Sequence, residues 1–267
     1  MSPNPLRTLL LVAFPPEWSA LAPHIADTEA TTLLGGTVLE GTLAGLPVIL
    51  AQTGVSMVNA ALTTQALIDR FPVDRIILSG VAGGLDPALN IGEVLAPARW
   101  GQFLEVGFGR ASLAGQTLPP LPGATDLPPF GAMIPRDVLI GDAAHRWFEA
   151  DPGLLSAAGR LSAEDPGLKL AAGGLGTSGS AFVDNAEYRR YLHATFGAQV
   201  IDMESAAVMQ VAAVNRVPCL ALRAVSDLAG GEDDGNALPH SLDAACGNAA
   251  RAVLALCGLL RREESGA

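Results

Sequence analysis

Residues Gln199 to Asp227 read QVIDMESAAVMQVAAVNRVPCLALRAVSD, and this stretch decides the fold. Gln199 to Asp202 is a short apolar run, Glu204 to Asn215 follows as a helix, and Pro218 to Ala224 is a second apolar run. Short strands with no polar face need cover on both sides, which a helix crossing between them supplies. The theme repeats outward. Leu9 to Phe14 reads as a strand buried on both faces, followed by a short helix from Glu17 to Ile25 behind Pro15-Pro16. Thr37 to Leu43 and Leu46 to Gln52 are joined by Ala44-Gly45, a hairpin signal. Ser56 to Arg70 carries apolar residues at helical spacing, and Arg75 to Ser79 is a buried strand closing on Gly80. Lys169 to Gly173 precedes a helix from Asp184 to Ala194, and a last helix is centred on Leu242 to Leu260.

This alternation predicts a single α/β domain over residues 1–267, a three-layer sandwich with a mixed, largely parallel central sheet. Functional groups then gather at the carboxyl ends of strands. Residues 107–131 are rich in Gly and Pro and without period, so they are expected to form a loop excursion, either a site or interface element or a tolerated insertion. Residues 261–267 are expected to fray.

Composition narrows the function. The chain has 267 residues, 49% of them hydrophobic and 16% charged, enough to bury a large core. Its net charge of -11 and lack of a Lys/Arg cluster argue against nucleic acid and anionic membrane surfaces. Cys219, Cys246 and Cys257 form no C-x-x-C pair, so neither a disulfide framework nor a zinc knuckle is expected. Thr8 to Phe14 behind Arg7 imitates a signal peptide, but the run is short and ends in Pro15-Pro16-Glu17. No run approaches the ~20 apolar residues of a membrane span, and the expected compartment is the cytoplasm.

Gly174-Leu175-Gly176-Thr177-Ser178-Gly179 fits G-x-G-x-x-G, with Asp202 at a dinucleotide-like distance. That motif requires a helix to start within the glycines, whereas Ser180 to Val183 intervene before the Asp184-Asn185 cap. A glycine turn presenting Phe182 to a pocket fits better, with a plain buried Phe as the alternative. Three acids then stand at strand ends: Glu17, Glu204 and Asp227. Each alone can be a helix cap. Together they suggest a site.

The string Ile201 to Ala207 followed by Leu222-Arg223-Ala224-Val225-Ser226-Asp227 resembles the purine nucleoside phosphorylase and nucleosidase superfamily. Ser79-Gly80-Val81-Ala82-Gly83-Gly84-Leu85, with Ile91 to Val94 after it, resembles that superfamily's glycine-rich turn and next strand. Gly179 to Val183 resembles its base-pocket segment. The nearest likeness is to 5′-methylthioadenosine/S-adenosylhomocysteine nucleosidases, with a further likeness to plant bark-storage relatives around Ser226 to Gly231 and Phe130 to Pro135.

The resemblance implies a homodimer that hydrolyses an adenine nucleoside, 5′-methylthioadenosine or S-adenosylhomocysteine, without cofactor or metal, with a phosphate-dependent phosphorylase or a catalytically weak storage-like binder as the alternatives. It implies Asp227 as the acid at adenine N7, Glu17 as the base that activates water, and Glu204 as the acceptor of two ribose hydroxyls. Met203 would pack on the sugar, Phe182 stack on adenine and the Val183 backbone read the base edge, with Val81, Ala82, Gly83 and Ser226 lining the pocket. Arg223 reads as an orienting partner for Glu17, with an ordinary salt bridge as its alternative.

The N-terminal Gly-Asp-Pro-x-Arg type loop of the phosphorylases is replaced here by Phe14-Pro15-Pro16-Glu17, which points to water rather than phosphate. Two positions depart from the nucleosidase pattern: Val81 stands where a Ser is common, and Asp202 where a Glu is more usual. Related futalosine hydrolases usually carry Asn at the place of Asp227, so Asp227 favours a 6-aminopurine. His24, His145, His193 and His240 have no metal spacing, and only His240 is placed as a lid contact.

Overall fold

β1 (Arg7–Val12) is the innermost of the early strands: Leu9, Leu10 and Leu11 are fully buried, each side chain contributing roughly 1.5–3 kcal/mol. It belongs to a computed structural model that describes residues 6–108, 125–127, 131–231 and 235–266. After β1 come α1 (Pro15–Leu21), β2 (Ala26–Leu33), β3 (Gly36–Leu43), β4 (Leu46–Gln52), α2 (Met57–Arg70) and β5 (Val73–Gly84). Short strands follow: β6 (Val94–Ala96), β7 (Arg99–Gln102), β8 (Val106–Phe108), β9 (Thr125–Leu127), β10 (Gly131–Pro135), β11 (Val138–Ile140), β12 (Ala143–His145) and β13 (Phe148–Glu149). The chain then runs through α3 (Pro152–Glu164), β14 (Leu170–Ala172), β15 (Leu175–Ser178), α4 (Ala186–Phe196), β16 (Val200–Asp202), α5 (Ser205–Asn215), β17 (Cys219–Asp227) and α6 (Leu238–Ser265).

The main sheet runs β13-β7-β15-β16-β5-β1-β4-β3-β2, with β17 pairing β5 and β6. Its centre is parallel: β1 pairs β4 and β5, and β17 pairs β5, all in parallel register. The antiparallel pairs include β16 with the end of β5, which brings Ile201 opposite Gly83. Every residue of β17 is buried, with α6 and α5 both packed on it. A strand with both faces covered is the middle of a three-layer sandwich.

The hairpin forms at Ala44-Gly45, where φ values of 50° and 80° supply the left-handed pair that a two-residue turn needs. Several expectations are corrected. β5 does not stop at Gly80 but continues to Gly84, because Gly80, Gly83 and Gly84 serve close packing rather than a turn. β15 is likewise a strand and not a glycine turn: a Cβ on Gly176 would lie 2.6 Å from the Trp100 ring. The ends of the 107–131 segment join a small antiparallel sheet of β8, β10 and β9, while residues 109–124 and 128–130 lie outside the described ones. The tail does not fray up to Ser265. Leu259 and Leu260 are buried there, and Arg75 and Arg262 pair with Glu264 and Glu164 at 2.6 and 3.1 Å.

α6 is also long and apolar enough by composition to match a membrane span, with a mean hydropathy of 1.3 over 18 residues. Alanines raise that average without an unbroken apolar run. The face bearing Ala249, Val253, Leu256 and Leu260 is spent on the core, against β17, β5 and α1.

Candidate active site

Three strand ends deliver the acids. β1 hands over to α1 through Ala13 and Phe14, and Pro15 begins the helix, so Glu17 falls in its first turn. The Glu17 side chain turns back into the protein and is 3% exposed. Its Oε2 accepts from Ala13 N at 2.5 Å and its Oε1 from Val81 N at 2.9 Å, tying it to the end of β1 and to the later part of β5.

β16 ends at Asp202, and Glu204 occupies the N-cap position of α5. Its side chain makes no cap bond. Oε1 instead accepts from Ser56 N at 2.9 Å, across the chain from the start of α2. The capping is done by Asp202, whose Oδ1 accepts from Ser205 N at 3.1 Å, and by Ser178 Oγ, which accepts from Ala206 N at 2.8 Å. Ser56 holds φ 94°, a conformation costly for any residue but glycine, and that backbone aims its N–H at Glu204.

β17 ends at Asp227, well before α6 starts at Leu238, so Asp227 is not at the start of any described helix. Its Oδ1 accepts from Ala229 N at 2.9 Å and its Oδ2 from Ser226 Oγ at 2.8 Å. Both acids therefore lose the capping alternative.

One cavity of about 220 Å³ is lined by Glu17, Val81, Ala82, Gly83, Phe182, Met203, Glu204, Ser226 and Asp227. Val183 faces an adjoining recess shared with Phe182, Met203 and Asp227. Phe182 is 60% exposed at the rim, which removes the buried-Phe alternative. Phe14, Val55 and Leu238 also line the cavity and carry no sequence signal beyond being apolar. His240 is exposed in the first turn of α6; the cavity residue there is Leu238.

Arg223 lies behind the cavity with no exposed surface. Its Nε is 2.8 Å from Asp202 Oδ2, Nη2 is 3.4 Å from Glu204 Oε2, and Nη1 is 3.6 Å from Glu17 Oε1. It is more than an orienting partner for Glu17, since one guanidinium serves three carboxylates. That attraction holds its own pKa above the usual value, outweighing the burial that opposes its charge. For Glu17 burial dominates and raises the pKa, against Arg223 and the N–H groups of Ala13, Val81 and Phe14. Burial likewise pushes Glu204 up to about 7, with Arg223 and the Ser56 N–H opposing and Asp202 and Glu17 adding to it. Acids outnumber the cation, and Glu204 is poised to hold or release a proton near neutrality.

The family model of the phosphorylase superfamily matches residues 7–261. A 5′-methylthioadenosine/S-adenosylhomocysteine nucleosidase from Colwellia psychrerythraea is 31% identical over 263 residues, which cover 96% of this chain and 97% of its own.

The chain belongs to the phosphorylase superfamily, in its 5′-methylthioadenosine/S-adenosylhomocysteine nucleosidase branch.

Solved structures agree on the phosphorylase-superfamily fold. The Colwellia psychrerythraea nucleosidase in complex with adenine superimposes with a TM-score of 0.75 at 27% identity, covering 96% of each chain. A Helicobacter pylori futalosine hydrolase gives the same TM-score of 0.75 at 24% identity, over 94% of this chain and 97% of its own, a likeness of fold alone.

Proposed function

We propose that the chain hydrolyses the N-ribosidic bond of 5′-methylthioadenosine and S-adenosylhomocysteine, with Asp227 protonating the base, Glu17 activating water and Glu204 clamping the ribose. The observation that carries this reading is that three buried carboxyls from three strand ends line one cavity: Glu17, Glu204 and Asp227. Breaking an N-ribosidic bond leaves positive charge on the sugar and negative charge on the purine. The purine departs only when N7 takes a proton, and the sugar needs a nucleophile from the other side. Asp227 serves N7 and can accept from a 6-amino group. Glu17, with a raised pKa and contacts to two backbone N–H groups, suits a general base.

Water is favoured as nucleophile by the charge of the cavity. Among the described residues its lining includes no Lys, Arg or His, and the guanidinium behind it already serves three acids. Phosphate beside Glu17 would face uncompensated repulsion. Val81 offers no hydroxyl, but its N–H holds Glu17 in place. Arg223 Nη1, buried and without a hydrogen-bond acceptor among the described residues, remains a donor for the attacking water. Phe182 stacks on adenine, Val183 reads its edge and Met203 packs on the ribose.

The working unit in this proposal is one domain over residues 1–267, paired with a second copy. Val58 and Leu62 on α2 are 73% and 57% exposed, and Val55 and Phe182 add apolar surface at the cavity mouth. Three free buried cysteines suit a reducing compartment, the cytoplasm. The test is adenine release across a panel of adenine and 6-oxopurine nucleosides, with and without phosphate, with light scattering for the oligomer. Release from 5′-methylthioadenosine without phosphate supports the reading. Nucleoside binding with no release of base overturns it in favour of a storage-like binder.

A further inference from the structure

We propose that Asp202 is a positioning residue for this hydrolysis: it pins one edge of the Arg223 guanidinium so that the opposite groups face Glu17 and Glu204 together. The inference rests on the roles given above to Glu17 and Glu204.

Asp202 borders the cavity, yet its carboxylate is fully spoken for. Oδ1 accepts from Ser178 Oγ, from Glu204 N at 3.2 Å and from Ser205 N at 3.1 Å. Oδ2 accepts from Ser205 Oγ and faces Arg223 Nε at 2.8 Å. A carboxylate has about four acceptor sites, so none is left for a substrate hydroxyl. Its work is therefore done through Arg223.

A guanidinium is planar and rigid, and fixing Nε fixes the direction of both Nη groups. Ser205 Oγ reinforces the pin, lying 3.0 Å from the same Nε. With that edge held, Nη1 stands 3.6 Å from Glu17 Oε1 and Nη2 3.4 Å from Glu204 Oε2. Neither distance is that of a tight ion pair. An unpinned guanidinium would collapse onto one of the two acids and abandon the other. Gly80 supplies the matching clearance, since any Cβ there would sit 2.1 Å from Nη1. Asp202 thus divides one cation between the base and the ribose clamp.

The charged groups facing Glu204 are Arg223 of β17, Asp202 of β16 and Glu17 of α1, with the Ser56 N–H ahead of α2. Asp227 shares the same cavity. Replacing Asp202 by Asn removes one negative neighbour, which favours ionised Glu204, and frees the guanidinium to leave the position it holds between Glu17 and Glu204.

The experiment compares wild type, Asp202→Asn, Asp202→Glu and Ser205→Ala. Nucleoside affinity is followed by calorimetry from pH 5 to 9, and adenine release is measured over the same range. Calorimetry needs no turnover. If wild type binds no nucleoside, the functional reading fails; a failure of the variants alone falls on this proposal. For Asp202→Asn the expected result is an acid limb shifted down by about one pH unit and a kcat lowered by roughly 10–100-fold. Asp202→Glu returns the limb toward its wild-type position because the charge is restored. Ser205→Ala, a small change in a buried site, lowers kcat with little change in thermal midpoint. An unchanged limb in Asp202→Asn, with only a lower thermal midpoint, would show a purely structural role and overturn the proposal. Should Asp202→Asn not fold, a Ser205→Ala enzyme with wild-type kcat and pH profile overturns it equally.

Discussion

Gly80→Ala adds one methyl group at the point where Glu17 and Arg223 meet. An ideal Cβ at Gly80 would lie 2.1 Å from Arg223 Nη1, 2.1 Å from Glu17 Oε1 and 2.7 Å from Glu17 Cδ. Contacts at ordinary van der Waals distance begin near ~3.5 Å, so both oxygen and nitrogen must retreat by roughly 1.4 Å. Neither can swing into solvent, since the two side chains are 2% and 0% exposed. Arg223 is pinned at Nε by Asp202 and Ser205, so Glu17 yields more and strains its bonds from Ala13 N and Val81 N. The φ of Gly80 is not in the left-handed region, so alanine adds no backbone strain of its own.

Overpacking of this kind costs about 1–3 kcal/mol of stability. A catalytic group displaced by about 1 Å loses on the order of 100-fold in rate, equivalent to ~2.7 kcal/mol in the barrier. Adenine release by Gly80→Ala at a temperature where urea titration shows it folded measures the second effect apart from the first. A kcat within about threefold of wild type in the folded variant would refute the reasoning that Glu17 and Arg223 must hold these positions.

Other consequences are open to simple assays. Asp227→Asn keeps the shape of the site but removes the proton donor proposed for N7, and kcat should fall by roughly 100- to 10,000-fold while nucleoside still binds by calorimetry. With burial pushing Glu204 up to about 7, the proposed clamping of ribose hydroxyls by its carboxylate should make kcat/KM rise with pH through about 7. The same raised pKa sets the sign of a stability effect. The folded protein binds this proton more tightly than the unfolded chain, whose glutamate titrates near 4.5, so the contribution is complete below pH 4.5 and disappears as pH rises through about 7. Glu17 has the same sign, and the fall in urea midpoint between pH 5 and 8 should shrink in Glu204→Gln. Burial pushes the Cys246 and Cys257 thiols up to about 12 and raises Cys219 as well, so a disulfide reagent should label none of the three until the protein is denatured.

The strands that carry the site were legible because they are apolar on both faces: Leu9–Val12, Ile76–Ser79 and Cys219–Asp227 are buried end to end. The edge was not. β2 is made of Ala26-Asp27-Thr28-Glu29-Ala30-Thr31-Thr32-Leu33, nearly all exposed, and an edge strand facing water leaves no apolar alternation to read. α3 had its signal in plain view, with Asp151 capping through Leu154 N and Pro152 opening the helix, yet it stayed hidden among the short runs around it. Glycines misled in β5 and β15, where they make room for Arg223, Glu17 and Trp100 inside strands.

At the site, residues adjacent to strand ends were accessible from sequence, whereas partners supplied from elsewhere in the chain were not. Ser56 reaches Glu204 through a backbone N–H, which leaves no trace in side-chain chemistry. Ser178 and Ser205 gain meaning only once β15 and β16 lie side by side and both hydroxyls close on Asp202.

A cavity ringed by carboxylates should take water, not phosphate, as its nucleophile. The direct measurement is the sugar product of 5′-methylthioadenosine, identified by mass spectrometry after incubation with dialysed protein, with and without millimolar phosphate. Adenine and free 5-methylthioribose should appear at the same rate in both. A sugar phosphate as product, or adenine release that appears only when phosphate is added, would contradict it.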